Sequence, residues 1–138
     1  MKRIAMIAAA SLLSAPANAD ILGSYYMSVH QQDVFNSSGA RLTDLGAILQ
    51  QDRANFHRFG RPGPSDESDR FFGDANLRAQ IPALFAANPQ NRTMFNQYTH
   101  QPGRENFADY IVFICGSGGR ITSIALDYAD GDGHIGCP

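Results

Sequence analysis

Asp52 is the residue whose position most needs a chemical explanation. A helix capped at Thr43 or Asp44 and running to about Arg58 carries an apolar stripe of Leu45, Ile48, Leu49, Phe56 and Phe59. On an ideal helix with Leu45 at about 0°, Leu49 falls at about 40°, Asp52 at about 340°, Phe56 at about 20° and Phe59 at about 320°. Asp52 therefore projects from the middle of the stripe. A carboxylate buried there must be paired or hydrogen-bonded, or it protonates. One reading makes it a pin, accepting bonds from an arginine or from loop amides and fixing the helix on its neighbours. The other makes it a general base of raised pKa in a cleft.

The densest charge in the chain surrounds it. Residues 52–74 hold Asp52, Arg53, Arg58, Arg61, Asp66, Glu67, Asp69, Arg70 and Asp74, interleaved with Phe56, His57, Phe59, Phe71 and Phe72. Arginine, aromatic and carboxylate side chains together suit an interaction surface. Its candidate members are Arg53, Phe56, His57, Arg58, Arg61, Arg70, Phe71 and Phe72. The competing reading is a salt-bridge network that joins two helices. His57, near a helix end, also suits a favourable charge on the helix dipole.

Other groups suggest chemistry less directly. His30, His57 and His100 with Glu105 would make an acid–base set if the fold brought them together, as in a small secreted nuclease. On this reading Asp52, His57 and His30 are the catalytic candidates. Asp127, Asp130 and Asp132, with His134, lie among three glycines, an oxygen-rich setting that can hold Ca²⁺. The EF-hand pattern fails there: with Gly133 as its glycine, the first ligand position is Tyr128 and the closing glutamate falls past Pro138. Ser117 in Gly116-Ser117-Gly118 is no nucleophile elbow, because Cys115 precedes that glycine and a strand follows. The histidines show no zinc spacing. No cofactor motif is present, and Ca²⁺ is the one ion the pattern suggests.

The elements that must position these groups form an α+β fold. Tyr25, Met27 and Val29 alternate with Tyr26, Ser28 and His30 as a first strand. Asn36-Ser37-Ser38-Gly39 is a turn. Gly60 and Pro62 end the first helix, and 61–70 is a polar loop. A second helix is expected over about 74–87, with Leu77, Ile81, Leu84 and Phe85 on one face and a kink or restart at Pro82. Asn88-Pro89 opens a short third helix through Met94, Phe95 and Tyr98, with a strand as the competing reading. Tyr110 to Cys115 reads as a strand buried on both faces. Gly116 to Arg120 turns the chain, and Ile121 to Tyr128 returns as the second arm of a β-hairpin. The expected architecture is two or three helices packed on a small antiparallel sheet that includes this C-terminal hairpin.

The beginning of the chain sets the compartment. Lys2 and Arg3, the apolar Ile4 to Leu13, and Ala17-Asn18-Ala19 have the form of a secretory signal peptide over residues 1–19, leaving a domain over 20–138. The apolar run is shorter than the ~20 residues a membrane helix needs, so no span is expected in the mature chain. Cleavage would remove Lys2, the only lysine, and Arg3, leaving nine arginines against 13 acidic residues, a formal charge of −4. That excludes lysine chemistry and disfavours nucleic acid as a partner. In an oxidising compartment Cys115 and Cys137 read as a disulfide that ties down the tail. The sequence thus points to a small periplasmic or secreted protein, non-catalytic, acting as a binding or inhibitor-type domain on an unidentified protein or envelope component. The alternatives are a small secreted hydrolase and a Ca²⁺-stabilised structural domain.

Overall fold

A computed structural model describes residues 18–94, 106–129 and 136–138. Strand β1 covers Asp20–His30, helix α1 Leu45–His57, α2 Ala75–Ala79, α3 Ile81–Ala86, β2 Asn106–Ser117 and β3 Arg120–Tyr128. The three strands form one antiparallel sheet in the order β1-β2-β3. The described residues therefore have the expected α+β architecture, with the C-terminal hairpin in place.

Period-two patterning sets the sheet's packing face. Tyr25 pairs with Val112 and Val112 with Leu126, while Met27 pairs with Tyr110. These side chains share one face and are buried against Leu45, Ile48, Leu49, Phe72, Ile81 and Leu84. Ile111 and Phe113, pointing the other way, are half-buried. The expectation of a strand buried on both faces is corrected here: helices cover one side of β2, so alternation governs it. The hairpin turns through Gly118 and Gly119, with φ of 59° and 76°. Successive positive φ values define the tight turn whose twist matches antiparallel strands, and glycine adopts them without strain.

Helix α1 begins at Asp44, whose carboxylate accepts from the backbone N–H groups of Gly46 and Ala47. It ends at His57, and Gly60 (φ 60°) turns the chain away. Phe59 therefore lies past the helix and is 37% exposed, a correction to its place in the buried stripe. Gly46 lets α1 approach α3 closely: a Cβ there would meet Pro82 Cα at 3.3 Å and Phe85 Cδ1 at 3.2 Å. The expected 74–87 helix is two helices. Asp74 caps α2, the chain breaks at Gln80, and α3 restarts with Pro82 in its first turn. Proline fits there because an N–H at that position would have no helical partner. A 3-10 turn over Pro89–Met94 stands where a third helix was expected; Phe95 and Tyr98 lie outside the described residues.

Both outer edges of the sheet are occupied by side chains. On β1, the Tyr26 N–H donates to Glu67 and the Ser28 N–H to Asp66, while the Glu67 N–H returns a bond to the Tyr26 carbonyl. Arg70 donates to the Leu22 carbonyl on the same strand. On β3, Asn91 donates to the Ile124 carbonyl and accepts from the Leu126 N–H. Unpaired strand edges template aggregation, and these contacts block part of each edge. At the far end, Cys115 and Cys137 are joined in a disulfide, their Cα atoms 5.5 Å apart. The Ala19 N–H donates to the Pro138 carbonyl beside it.

Candidate functional site

Segment 52–74 divides into a buried half and an exposed half. The centre of the buried half is Arg53, whose side chain has no exposed surface. Its Nε donates to Asp52 Oδ2 at 2.7 Å. Its Nη1 donates to the Glu67 carbonyl at 2.8 Å and to Asp69 Oδ2 at 3.0 Å. The guanidinium carbon lies 4.1 Å from the Tyr25 ring centroid and 4.7 Å from that of Phe56. One side chain thus joins α1, the 61–72 loop and β1. Arginine suits this place because its planar fork serves two carboxylates while its faces lie on rings.

Asp69 organises the loop. Its Oδ1 accepts from the backbone N–H groups of Phe71 at 2.8 Å and Phe72 at 2.6 Å. Its Oδ2 lies 2.8 Å from His57 Nε2. Burial alone would raise this carboxyl, but the bonds from His57, the Phe72 N–H, Arg53 and the Phe71 N–H outweigh it and hold it below the ordinary aspartate range. Burial drives Asp52 the other way, well above that range, against the pull of Arg53. Asp33, which accepts from Asn55 and from the His30 N–H, is also raised by burial.

These positions decide where the catalytic candidates stand. Asp52 has a raised carboxyl, as a general base would, but it is only 1% exposed and its bonded oxygen is committed to Arg53. Its Oδ2 is held by Arg53, while its Oδ1 is buried with no partner among the described residues. His57 pairs with Asp69 and not with Asp52. His30 lies beside the Pro62–Pro64 turn, in a separate hollow. His100 and Glu105 fall outside the described residues. Ser117 is exposed at the hairpin end. Of the calcium candidates, Asp127 is on β3, and Asp130, Asp132 and His134 lie outside the described residues. Among the described residues no three His, Cys, Asp or Glu side chains are gathered as metal ligands.

The proposed interaction surface needs two corrections. Arg53 and Phe72 have no exposed surface and cannot meet a partner in this fold. Both were drawn inward by the buried carboxylates and the apolar core, which the linear charge density conceals. Arg70 is exposed, lies over Phe71 at 5.1 Å and is tied to β1. Phe56 and Phe71 are half-buried.

What remains outside is a compact aromatic and cationic rim. Arg58 and Arg61 lie over Phe59, their guanidinium carbons 5.0 Å and 5.4 Å from its centroid. Neither forms an ion pair with a described carboxylate. Two hollows share Phe59. One, of about 460 Å³, is lined by Gln50, Gln51, Arg58 and Arg78. The other, of about 370 Å³, is lined by Gln32, Asn36, Gln51 and Arg61. Sequence reasoning passed over the amide side chains of these walls. Their signal was the paired glutamines at 31–32 and 50–51, of which Gln32 donates to the Arg61 carbonyl and Gln51 to Asn55.

Compared with known proteins, the chain matches no family model, no curated protein and no solved structure. No described helix is long and apolar enough to cross a membrane.

Proposed function

We propose that this chain is an exported, non-catalytic binding domain that engages another macromolecule through the exposed half of segment 52–74, centred on Phe59. The observation that carries this reading is the pair of arginines lying over one exposed phenylalanine, neither of them ion-paired with a described carboxylate. A hydrophobic ring flanked by guanidinium groups resembles the anchor of a protein interface, where arginine and aromatic residues contribute most. The adjoining buried half holds that rim in place: Arg53 and Asp69 fix the loop that leaves Phe59 and returns along β1. Export rests on the signal-like start of the sequence, and the disulfide and the absence of a described membrane-spanning helix fit it.

Affinity capture from an envelope extract tests the reading. Immobilised wild type should retain a partner that the Arg58→Ala/Phe59→Ala variant loses, with the melting temperature of the variant within a few degrees of wild type. Equal retention by both proteins would remove this rim from the interface.

A further inference from the structure

The hollows around Phe59 continue into a third. The hollow lined by Gln32, Asn36 and Arg61 shares Gln32 and Phe35 with one of about 560 Å³, walled by His30, Phe35, Pro62 and Pro64. It also shares Asn36, Ser37, Gln51 and Phe59 with the hollow that holds Arg58 and Arg78. The three make a single furrow across the 35–41 turn, helix α1 and the 59–64 loop. One end is walled by Phe35, Pro62 and Pro64 beside His30, and the rest presents amides and arginines among Leu42 and the alanines of α1 and α2. No described aspartate or glutamate lines any of the three, although acidic residues outnumber basic ones 13 to 11 in the chain.

The geometry points to an extended acidic peptide segment as the occupant of this furrow, with an apolar side chain in the Phe35–Pro62–Pro64 hollow and carboxylates on Arg61 and Arg58; this rests on the binding-domain reading above. Three arguments select a peptide. The hollows follow one another in series, the middle one sharing wall residues with each of the others, an arrangement that suits an extended segment. Gln32, Asn36 and Gln51 each commit one amide atom within the protein, and their other amide atoms, with Gln50 on the same wall, match the donors and acceptors of a peptide backbone. Each ring already carries a guanidinium: Arg58 and Arg61 lie over Phe59, and Arg41 lies over Phe35 at 5.7 Å. Sugar recognition needs open ring faces, whereas a guanidinium resting on a ring still presents its N–H edge to a carboxylate.

The test uses the disulfide-intact protein and three fluorescein-labelled probes: a decapeptide alternating glutamate and serine with a leucine at one end, the same peptide with lysine for glutamate, and oligogalacturonate of equal charge. Anisotropy titrations should show binding of the acidic peptide alone. Arg58→Glu/Arg61→Glu should weaken it roughly tenfold or more, and added salt should weaken it too. Amide shifts in a ¹⁵N spectrum should fall on residues 35–37, 50–51 and 58–62. Arg58→Gln/Arg61→Gln, without charge reversal, should give a smaller loss in the same direction, and serves if the reversed variant does not fold. Equal or tighter binding of the lysine peptide or of oligogalacturonate, no binding of any probe, or shifts confined to the sheet would overturn the assignment. Competition separates this inference from the reading beneath it. If the acidic peptide fails while Arg58→Ala/Phe59→Ala still abolishes envelope capture, the binding surface stands and the peptide assignment alone falls.

Discussion

Arg53→Met should lower the stability of this protein more than any single surface substitution in segment 52–74. Methionine retains much of the apolar stem and removes every donor. Asp52 then loses its 2.7 Å bond from Nε, and Asp69 and the Glu67 carbonyl lose their bonds from Nη1. Removing one partner of a buried pair costs about 3–5 kcal/mol, because the remaining charge stays desolvated. At roughly 4 °C per kcal/mol for a domain of this size, the melting temperature should fall by roughly 12–20 °C. Urea unfolding followed by circular dichroism at pH 7 measures the loss directly. Two further results are required. The deficit should shrink on acidification, because Asp52, already pushed up by burial, can then neutralise. The Asp52→Leu/Arg53→Met variant should recover roughly 1–3 kcal/mol relative to the sum of its single changes, since it removes the unpaired charge together with its partner. An Arg53→Met protein within about 1 kcal/mol of wild type, or strictly additive single changes, would refute the strut assigned to Arg53.

Asp69→Asn should be destabilising near neutral pH, by an amount that shrinks as pH falls. The folded-state pKa of Asp69 is depressed, so its contribution is present above the ordinary carboxylate range and is lost as pH drops through the folded value; a deficit that stays constant from pH 7 into strong acid would contradict this. Asn91→Leu should cost about 2–3 kcal/mol in urea unfolding, because it strands the Ile124 and Phe85 carbonyls and the Leu126 N–H; a neutral change would show that water satisfies them. Cys115→Ala/Cys137→Ala should lower stability by roughly 3 kcal/mol in the chain-entropy estimate for a bridge of this span. It should also raise amide exchange at Ala19, which bonds to Pro138 beside the disulfide; unchanged exchange there would show that the tail is held by other contacts.

The elements legible in the sequence were those whose signal is local. Asp44 caps α1 through its own side chain, Gly60 ends it, and Gly118-Gly119 supply the positive φ that the hairpin needs. Met27 revealed its face by alternation, whereas the unbroken apolar run around Val112 concealed the alternation that the sheet shows there. The stripe argument also found Asp52, because a carboxylate among leucines is anomalous under any tertiary arrangement. The division of segment 52–74 was not legible. Arg53 and Arg58 are both arginines on or beside one helix, yet Arg53 lies inside under Tyr25, and Arg58 lies outside over Phe59. Only the return of the loop along β1, which brings Asp69 to Arg53 across 16 positions of chain, separates them. Asp66 and Glu67 stood in the sequence only as part of the charge-dense segment, and the fold uses them to accept N–H groups from the edge of β1. Such long-range pairings leave no periodicity to read. Pro82 carried two meanings in the sequence, and the break at Gln80 selects the restart.

Site-specific photo-crosslinking in the producing cell tests the central claim most directly, that the rim around Phe59 meets the partner while Arg53 and Asp69 only hold it in place. A benzophenone side chain introduced at Phe59 should yield a discrete adduct of higher mass, and one at the exposed Thr122 on β3 should yield none. Adducts at Thr122 with none at Phe59 would contradict the account.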